Sequence, residues 1–275
     1  MSELTSLEMQ SGAKSLLKRT WWIALPLVGV LILAVVSIAM PGDDPLPVQR
    51  VKVVAAYPHD PAAFTQGLVV EENVLYEGTG HYGQSTLRRV DLQSGTVDKS
   101  MQLAGEYFGE GVTILNDQVF QLTWKEGVCF VYDKQSLAPL GTHRYYQQGW
   151  GLTNDGQHLY LSDGSSTIYV LDPQTFKQVR RIRVKQGRRP VDQLNELEFV
   201  NGEIYANVWY SDQIARINPA DGNLLGWIDC SGVYPASQRP DREHVLNGIA
   251  YDAATKKLYV TGKNWPRLYE IEIQP

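Results

Sequence analysis

A carboxylate, an ammonium and three carboxamides recur at equivalent places in this chain, interleaved with indoles: Glu110, Lys263, Gln66, Asn195 and Asn247 with Trp124, Trp150 and Trp209. Gathered in one cup, such groups could move a proton and hold a carbonyl oxygen without a Ser or Cys nucleophile. Indole rings around Glu110 would strip its water and raise its pKa, which suits proton transfer near neutral pH. No Gly-x-Ser-x-Gly, P-loop or His-Glu-x-x-His pattern is present, and His59, His81, His143, His158 and His244 fall in loops or turns without ligand spacing. Each residue also has a plainer reading. A Trp in a β repeat usually packs between sheets, a lone Glu can hold backbone amides, Lys263 can be solvated, and Asn or Gln can cap turns. Their coincidence favours an apolar pocket with a few polar groups.

The coincidence lies in a repeat. From residue 64 the sequence cycles with a period of about 45 residues. Each cycle opens with a variable residue, usually Gly, then an aliphatic: Gln66-Gly67-Leu68, Glu110-Gly111-Val112, Trp150-Gly151-Leu152, Asn195-Glu196-Leu197 and Asn247-Gly248-Ile249. An aromatic follows on the returning strand, at Tyr76, Phe120, Tyr160, Tyr205 and Tyr259. Four positions later stand Gly80, Trp124, Gly164, Trp209 and Lys263. The frame repeats while two positions vary, which is how one scaffold with one central site should look. Phe64 and Phe108 precede the first two opening positions by two residues and join the cup.

The elements that must position these residues are short strands. Asn-, Asp- and Gly-rich turns at 71–73, 116–117, 154–156 and 201–202 accept the positive φ of tight hairpins. Third strands end in Asp- or Asn-led turns at Asp91, Asp133, Asp172 and Asn218. Four antiparallel strands per cycle predict an all-β, five-bladed β-propeller over residues 51–275. The fifth cycle stops after three strands, so residues 51–57 are expected to supply the fourth and close the ring. Both variable positions of every cycle then face one mouth, and the segments 185–194 and 230–246 are candidate rim loops.

The 275 residues are 43% hydrophobic, enough for one sizeable core. A net charge of −5 and a pI near 5.6 argue against a nucleic-acid partner. Cys129 and Cys230 fall in repeats too far apart to pair, and no metal spacing is visible. The run 21–40, WWIALPLVGVLILAVVSIAM, is apolar and uncharged over a membrane-spanning length. Lys14, Lys18 and Arg19 before it predict a cytoplasmic tail 1–20 and a domain on the periplasmic or extracellular side. Ser37-Ile38-Ala39 offers a signal-peptidase site, so secretion after cleavage is the alternative to a single-pass anchor. Residues 41–50 read as a stiff Pro-rich linker.

The strings Phe64-Thr65-Gln66-Gly67-Leu68, Tyr107-Phe108-Gly109-Glu110-Gly111, Leu122-Thr123-Trp124, Leu194-Asn195-Glu196-Leu197, Leu246-Asn247-Gly248-Ile249-Ala250 and Thr261-Gly262-Lys263-Asn264-Trp265-Pro266 carry a resemblance. Over roughly 51–273 the chain resembles the plant and bacterial glutamine cyclotransferases, five-bladed propellers unrelated to the zinc-dependent animal-type cyclases. The resemblance implies conversion of an N-terminal glutamine to pyroglutamate with release of ammonia, without metal or other cofactor, on a peptide or protein. It implies that Glu110 shuttles the proton and that Phe64, Gln66, Phe108, Trp124, Trp150, Asn195, Trp209 and Lys263 form the pocket. Gly109 stands where some members carry a larger side chain, which implies a different pocket floor. Two rival readings remain. A calcium-binding lactonase-type propeller would hold a hard cation at Glu110, Asn195 and Asn247. A non-enzymatic, membrane-anchored propeller would only bind peptides.

Overall fold

A computed structural model of the chain describes residues 45–275. The expected tail, the apolar run 21–40 and the start of the linker lie outside the described residues. Among the described residues no helix is long and apolar enough to cross a membrane.

The described part is all-β and propeller-like, with a single short 3-10 turn at Ala236–Gln238. Thr65–Glu71, Val74–Thr79, Thr86–Asp91 and Val97–Gln102 form one four-stranded antiparallel sheet. Gly109–Leu115, Gln118–Thr123, Val128–Asp133 and Pro139–Arg144 form the next, and Leu152–Asn154, Leu159–Ser162, Thr167–Leu171 and Gln178–Arg183 a third. A fourth run is Leu194–Val200, Glu203–Val208, Gln213–Ile217 and Leu224–Asp229. Leu246–Asp252, Lys257–Gly262 and Arg267–Ile273 make the last three consecutive strands. The turns follow from the residue types. Asn73, Asp117 and Gly202 take φ of 63°, 58° and 88° in the hairpins that their sequence predicts. At the far end of the sheets Asp91, Asp133 and Asp172 accept the amides of Ser94, Ser136 and Thr175, one turn design used three times.

The strand Val48–Pro58 joins the two ends of the chain. Residues 51–58 pair antiparallel with Arg267–Ile273, supplying the fourth strand where it was expected. The strand starts earlier than 51, because Val48, Gln49 and Arg50 also pair parallel with Trp227, Ile228 and Asp229. The last part of the Pro-rich linker is therefore sheet, and the fourth and fifth runs merge through it into eight strands.

The first strands of the runs touch one another in a closed cycle: Thr65–Glu71 meets Gly109–Leu115, that meets Leu152–Asn154, then Leu194–Val200, then Leu246–Asp252, which returns to Thr65–Glu71. The core lies between the sheets. Tyr76 and Leu87 pack on Val112, Val119 and Tyr132; Phe120 and Leu122 on Leu152 and Leu161; Ile168 and Ile182 on Leu197 and Ile204. Tyr205 and Ile214 pack on Ile249 and Trp265, and Leu68 and Leu75 pack on Ala250 and Leu268. Each such Leu or Ile taken from water contributes about 1.5–3 kcal/mol. Cys129 and Cys230 are free buried thiols, whose ionisation burial opposes.

The first strands approach so closely that side chains are excluded at the axis. A Cβ on Gly111 would lie 2.7 Å from the Gly151 carbonyl carbon, and one on Gly67 2.8 Å from that of Gly111. The fourth run departs from this rule with Glu196, which is fully buried. Its Oε2 accepts the Ile249 amide at 2.9 Å, reaching from the fourth run to the fifth. Glu198, two residues on, accepts the Tyr251 amide at 2.7 Å and the Thr153 hydroxyl at 3.3 Å. Burial pushes the Glu198 carboxyl from the ordinary 4.5 up to about 8. The folded chain thus keeps a proton there that the unfolded chain releases. This contribution is complete below about pH 4.5 and is lost as pH rises through about 8. Thermal unfolding midpoints should fall across that window, and Glu198→Gln should flatten the slope. An unchanged slope in the variant would show that this carboxyl does not set it.

Candidate active site

Each first strand carries an irregularity at its opening residues. The register slips between Thr65 and Gly67, Gly109 and Val112, Leu194 and Leu197, and Leu246 and Ile249. In the third run, Trp150 donates its amide to Ser162 while Gly151 accepts from it, at 2.9 and 3.0 Å, so two residues again oppose one. These are β-bulges, and a bulge re-aims the side chain it carries. Gln66, Glu110, Trp150 and Asn195 are thereby turned out of the crowded axis into one cavity of about 230 Å³. Phe64, Phe108, Trp124, Trp209 and Lys263 complete it as expected, and His81 and Glu243 line it as well.

Asn247 does not line the cavity. Its Nδ2 donates to the Gln66 Oε1 at 3.2 Å and to the Thr65 carbonyl at 2.9 Å. Gln66 in turn donates from Nε2 to the Glu110 Oε1 at 3.2 Å. Asn247 therefore fixes which end of the Gln66 amide faces Glu110, an orienting role instead of the substrate contact expected of it.

Glu110 is 4% exposed. Burial holds its carboxyl well above the ordinary range, Lys263 opposes that shift, and Glu126 adds to it. Lys263 is also 4% exposed, with its Nζ 4.6 Å from the centre of the Phe64 ring and 5.8 Å from that of Trp209. Burial lowers its pKa against the pull of Glu110 and Glu243. Burial thus works against the charged form of both groups, while their mutual attraction works for it. Two buried atoms in the wall lack partners: the Asn195 Oδ1, an acceptor, and the Trp209 Nε1, a donor. Leaving such groups unpaired costs about 1–3 kcal/mol each, which a bound amide or amine would recover. Among the described residues no cluster of three His, Cys, Asp or Glu side chains could hold a metal ion.

The aromatic wall is seated on two glycines. A Cβ on Gly80 would overlap the Phe108 ring, its Cζ at 2.6 Å, and one on Gly164 would meet the Trp150 ring at 2.7 Å. Those two positions vary in the repeat because a neighbour's ring occupies the space. Trp150 and Trp209 meet edge to face at 5.5 Å. Gln148, which the repeat does not mark, accepts both the Trp124 and Trp150 indole N–H groups on its Oε1, at 2.7 and 3.1 Å. Gly109 does not line the cavity, and a Cβ on it would meet the Thr79 carbonyl oxygen at 2.7 Å. Of the two expected rim loops, 230–246 reaches the cavity through Glu243, while 185–194 holds the strand ends instead, through Gln193 with Gly164 and Trp209. His59 is buried, 3.0 Å from Glu77, and braces the sheet behind Thr65.

A family model described as glutamine cyclotransferase matches residues 27–273. A glutaminyl-peptide cyclotransferase of Arabidopsis thaliana is 46% identical over 233 residues, covering 82% of this chain and 72% of that protein. The crystal structure of Myxococcus xanthus glutaminyl cyclase matches with a TM-score of 0.79 at 38% identity, covering 84% of this chain and 99% of that one.

Gly164 is the sharpest test of the wall. Its φ of 82° and its contact with Trp150 both resist a side chain. Gly164→Ala should lower stability by about 1–3 kcal/mol and shift the tryptophan emission as Trp150 is displaced. Urea unfolding and fluorescence would read both, and unchanged emission would remove Gly164 from the support of the wall.

Proposed function

The chain belongs to the glutamine cyclotransferase family, and we propose that it closes the N-terminal glutamine of a peptide or protein to pyroglutamate, releasing ammonia. The observation that carries this reading is Glu110, a buried carboxyl held by the Gln66 amide beside Lys263 and the unpaired Asn195 oxygen. The reaction needs the substrate's α-amine to attack its own γ-carboxamide carbon. Only the neutral amine does so, and a free α-amine has a pKa of about 7.7–8.0. A new C–N bond forms, and the carbonyl π electrons pass to oxygen. Glu110 takes the proton from the attacking nitrogen and delivers it to the carboxamide nitrogen. The old C–N bond then breaks, the carbonyl re-forms, and the nitrogen leaves as ammonia.

The other groups divide the work. Lys263 and the Gln66 amide offer donors to the developing oxyanion. The Asn195 oxygen accepts an N–H of the amine or carboxamide. Trp124, Trp150 and Trp209, with Phe64 and Phe108, wall the folded-back side chain, so that much of the gain is orientation. This chemistry runs on side chains alone. The cation-assisted alternative would use Glu110, Asn195 and Asn247 as oxygen ligands, but Asn247 does not line the cavity and the Lys263 amine occupies it beside Glu110. We read the closed cycle of first strands as a five-bladed propeller whose last blade borrows its fourth strand from Val48–Pro58.

The test is ammonia release from a Gln-initiated dipeptide, with and without EDTA. Release should survive the chelator, and loss with EDTA would favour the cation-assisted reading. Glu110→Gln should keep the unfolding midpoint and lower turnover by roughly 10²–10⁴. A near-normal rate in that variant would remove Glu110 from the proton path.

The membrane reading rests on the run 21–40 and the basic residues before it. The domain is held at the outer face by an uncleaved anchor. In expressing cells the full chain should resist carbonate extraction and be accessible to protease from the non-cytoplasmic side. A shortened, freely soluble product would mean cleavage after Ala39 instead.

A further inference from the structure

We propose that Glu243 selects the residue that follows the substrate's glutamine, favouring Lys or Arg there and disfavouring Asp or Glu. This rests on the reading of the cavity as a glutaminyl site. Once a terminal glutamine fills the cavity, its next residue must sit at the mouth. Two carboxyl groups and one amine line the cavity. Glu110 and Lys263 are buried in it, while the Glu243 side chain is 48% exposed and so meets whatever stands at the entrance.

Glu243 is held in place and is not merely near. The Tyr210 hydroxyl donates to its Oε1 at 2.7 Å, and the Tyr210 ring stacks on Trp209 of the wall at 4.4 Å. The tether joins the fourth run, at residue 210, to the segment that leads to the fifth, at residue 243. Tyr210 has a φ of 63°, unusual for a Tyr, which brings its ring over the indole. The neighbouring charges leave Glu243 available. Arg242 is 76% exposed, lies over the Tyr210 ring at 4.6 Å and reaches Glu243 only at 3.6 Å through Nε. Such an exposed pair is weak. Lys125 lies over the Trp124 ring at 3.6 Å, and Glu126 accepts the Tyr82 hydroxyl at 2.9 Å, so each has a contact of its own. His81 lines the cavity too, and burial and Lys263 lower its pKa, so it adds no lasting positive charge. A cation after the glutamine thus finds a positioned carboxylate, and an anion finds a repelling one.

The experiment compares ammonia release from amidated Gln-Lys-Ala, Gln-Ala-Ala and Gln-Glu-Ala peptides, at about 10 mM and about 0.5 M salt. In the native chain kcat/KM for the Lys peptide should exceed that for the Glu peptide by about 5- to 20-fold at low salt, and the ratio should shrink at high salt. Glu243→Gln should bring the ratio within about twofold, Glu243→Lys should invert it, and Tyr210→Phe should fall between. The salt dependence of the native chain stays informative should a variant fail to fold. Equal rates for the three peptides in the native chain, or a ratio that survives Glu243→Gln, would overturn the proposal. Failure to release ammonia from any of the three would instead overturn the cyclotransferase reading on which it rests.

Discussion

Lack of room at the axis governs this molecule. The first strands meet backbone to backbone, so that Gly67, Gly111 and Gly151 have no space for a Cβ. A regular strand could not both make that contact and offer a side chain to the centre. The bulge reconciles the two demands: in the first three runs Gly67, Gly111 and Gly151 keep the backbone contact, and Gln66, Glu110 and Trp150 before them swing into the cavity. The recurrent pattern of a variable residue, Gly and an aliphatic is thus one piece of geometry repeated around a ring. The aliphatic that follows, Leu68, Val112, Leu152, Leu197 or Ile249, is buried between sheets. Site and core are fixed by adjacent residues on one strand, so the cavity is as rigid as the fold.

That rigidity has an electrostatic consequence. Glu110 and Lys263 are both nearly sealed from water, and burial disfavours the charge of each. Their attraction works against burial without cancelling it. The carboxyl keeps one amide partner, Gln66, which Asn247 orients from behind. A carboxylate with so little hydrogen-bond support takes up a proton more readily than one in water. The apolar wall supplies the low dielectric, and Gln148 with Gly80 and Gly164 keeps the rings in register.

The ring, its closing strand and most of the cavity wall were legible in the sequence because a period exposes them. Residues at matched positions of similar strands must point the same way, so Gln66, Glu110, Trp150 and Asn195 could be placed together by counting. Counting misplaced Asn247 for the same reason: position says where a side chain starts, and the partner it finds, here Gln66, decides where it ends. Gln148, His81 and Glu243 were not legible, since they stand in segments outside the repeat. Tyr210 and Glu243 meet between the fourth run and the segment that leads to the fifth, a contact that neither neighbourhood announces. Glu196 was visible as the break in the glycine pattern, yet only the structure gives it a purpose, in the amide it accepts from Ile249. The early start of the closing strand was hidden by Pro45 and Pro47, which read as linker up to the residue where pairing begins.

Glu196 also changes what holds one part of the inner cycle together. Where the first three runs bring backbone against backbone at a glycine, its buried side chain reaches the fifth run and accepts the Ile249 amide. Burial favours the protonated form of that carboxyl. The join between the fourth and fifth runs therefore depends on a proton, while the joins made by glycine depend on shape alone.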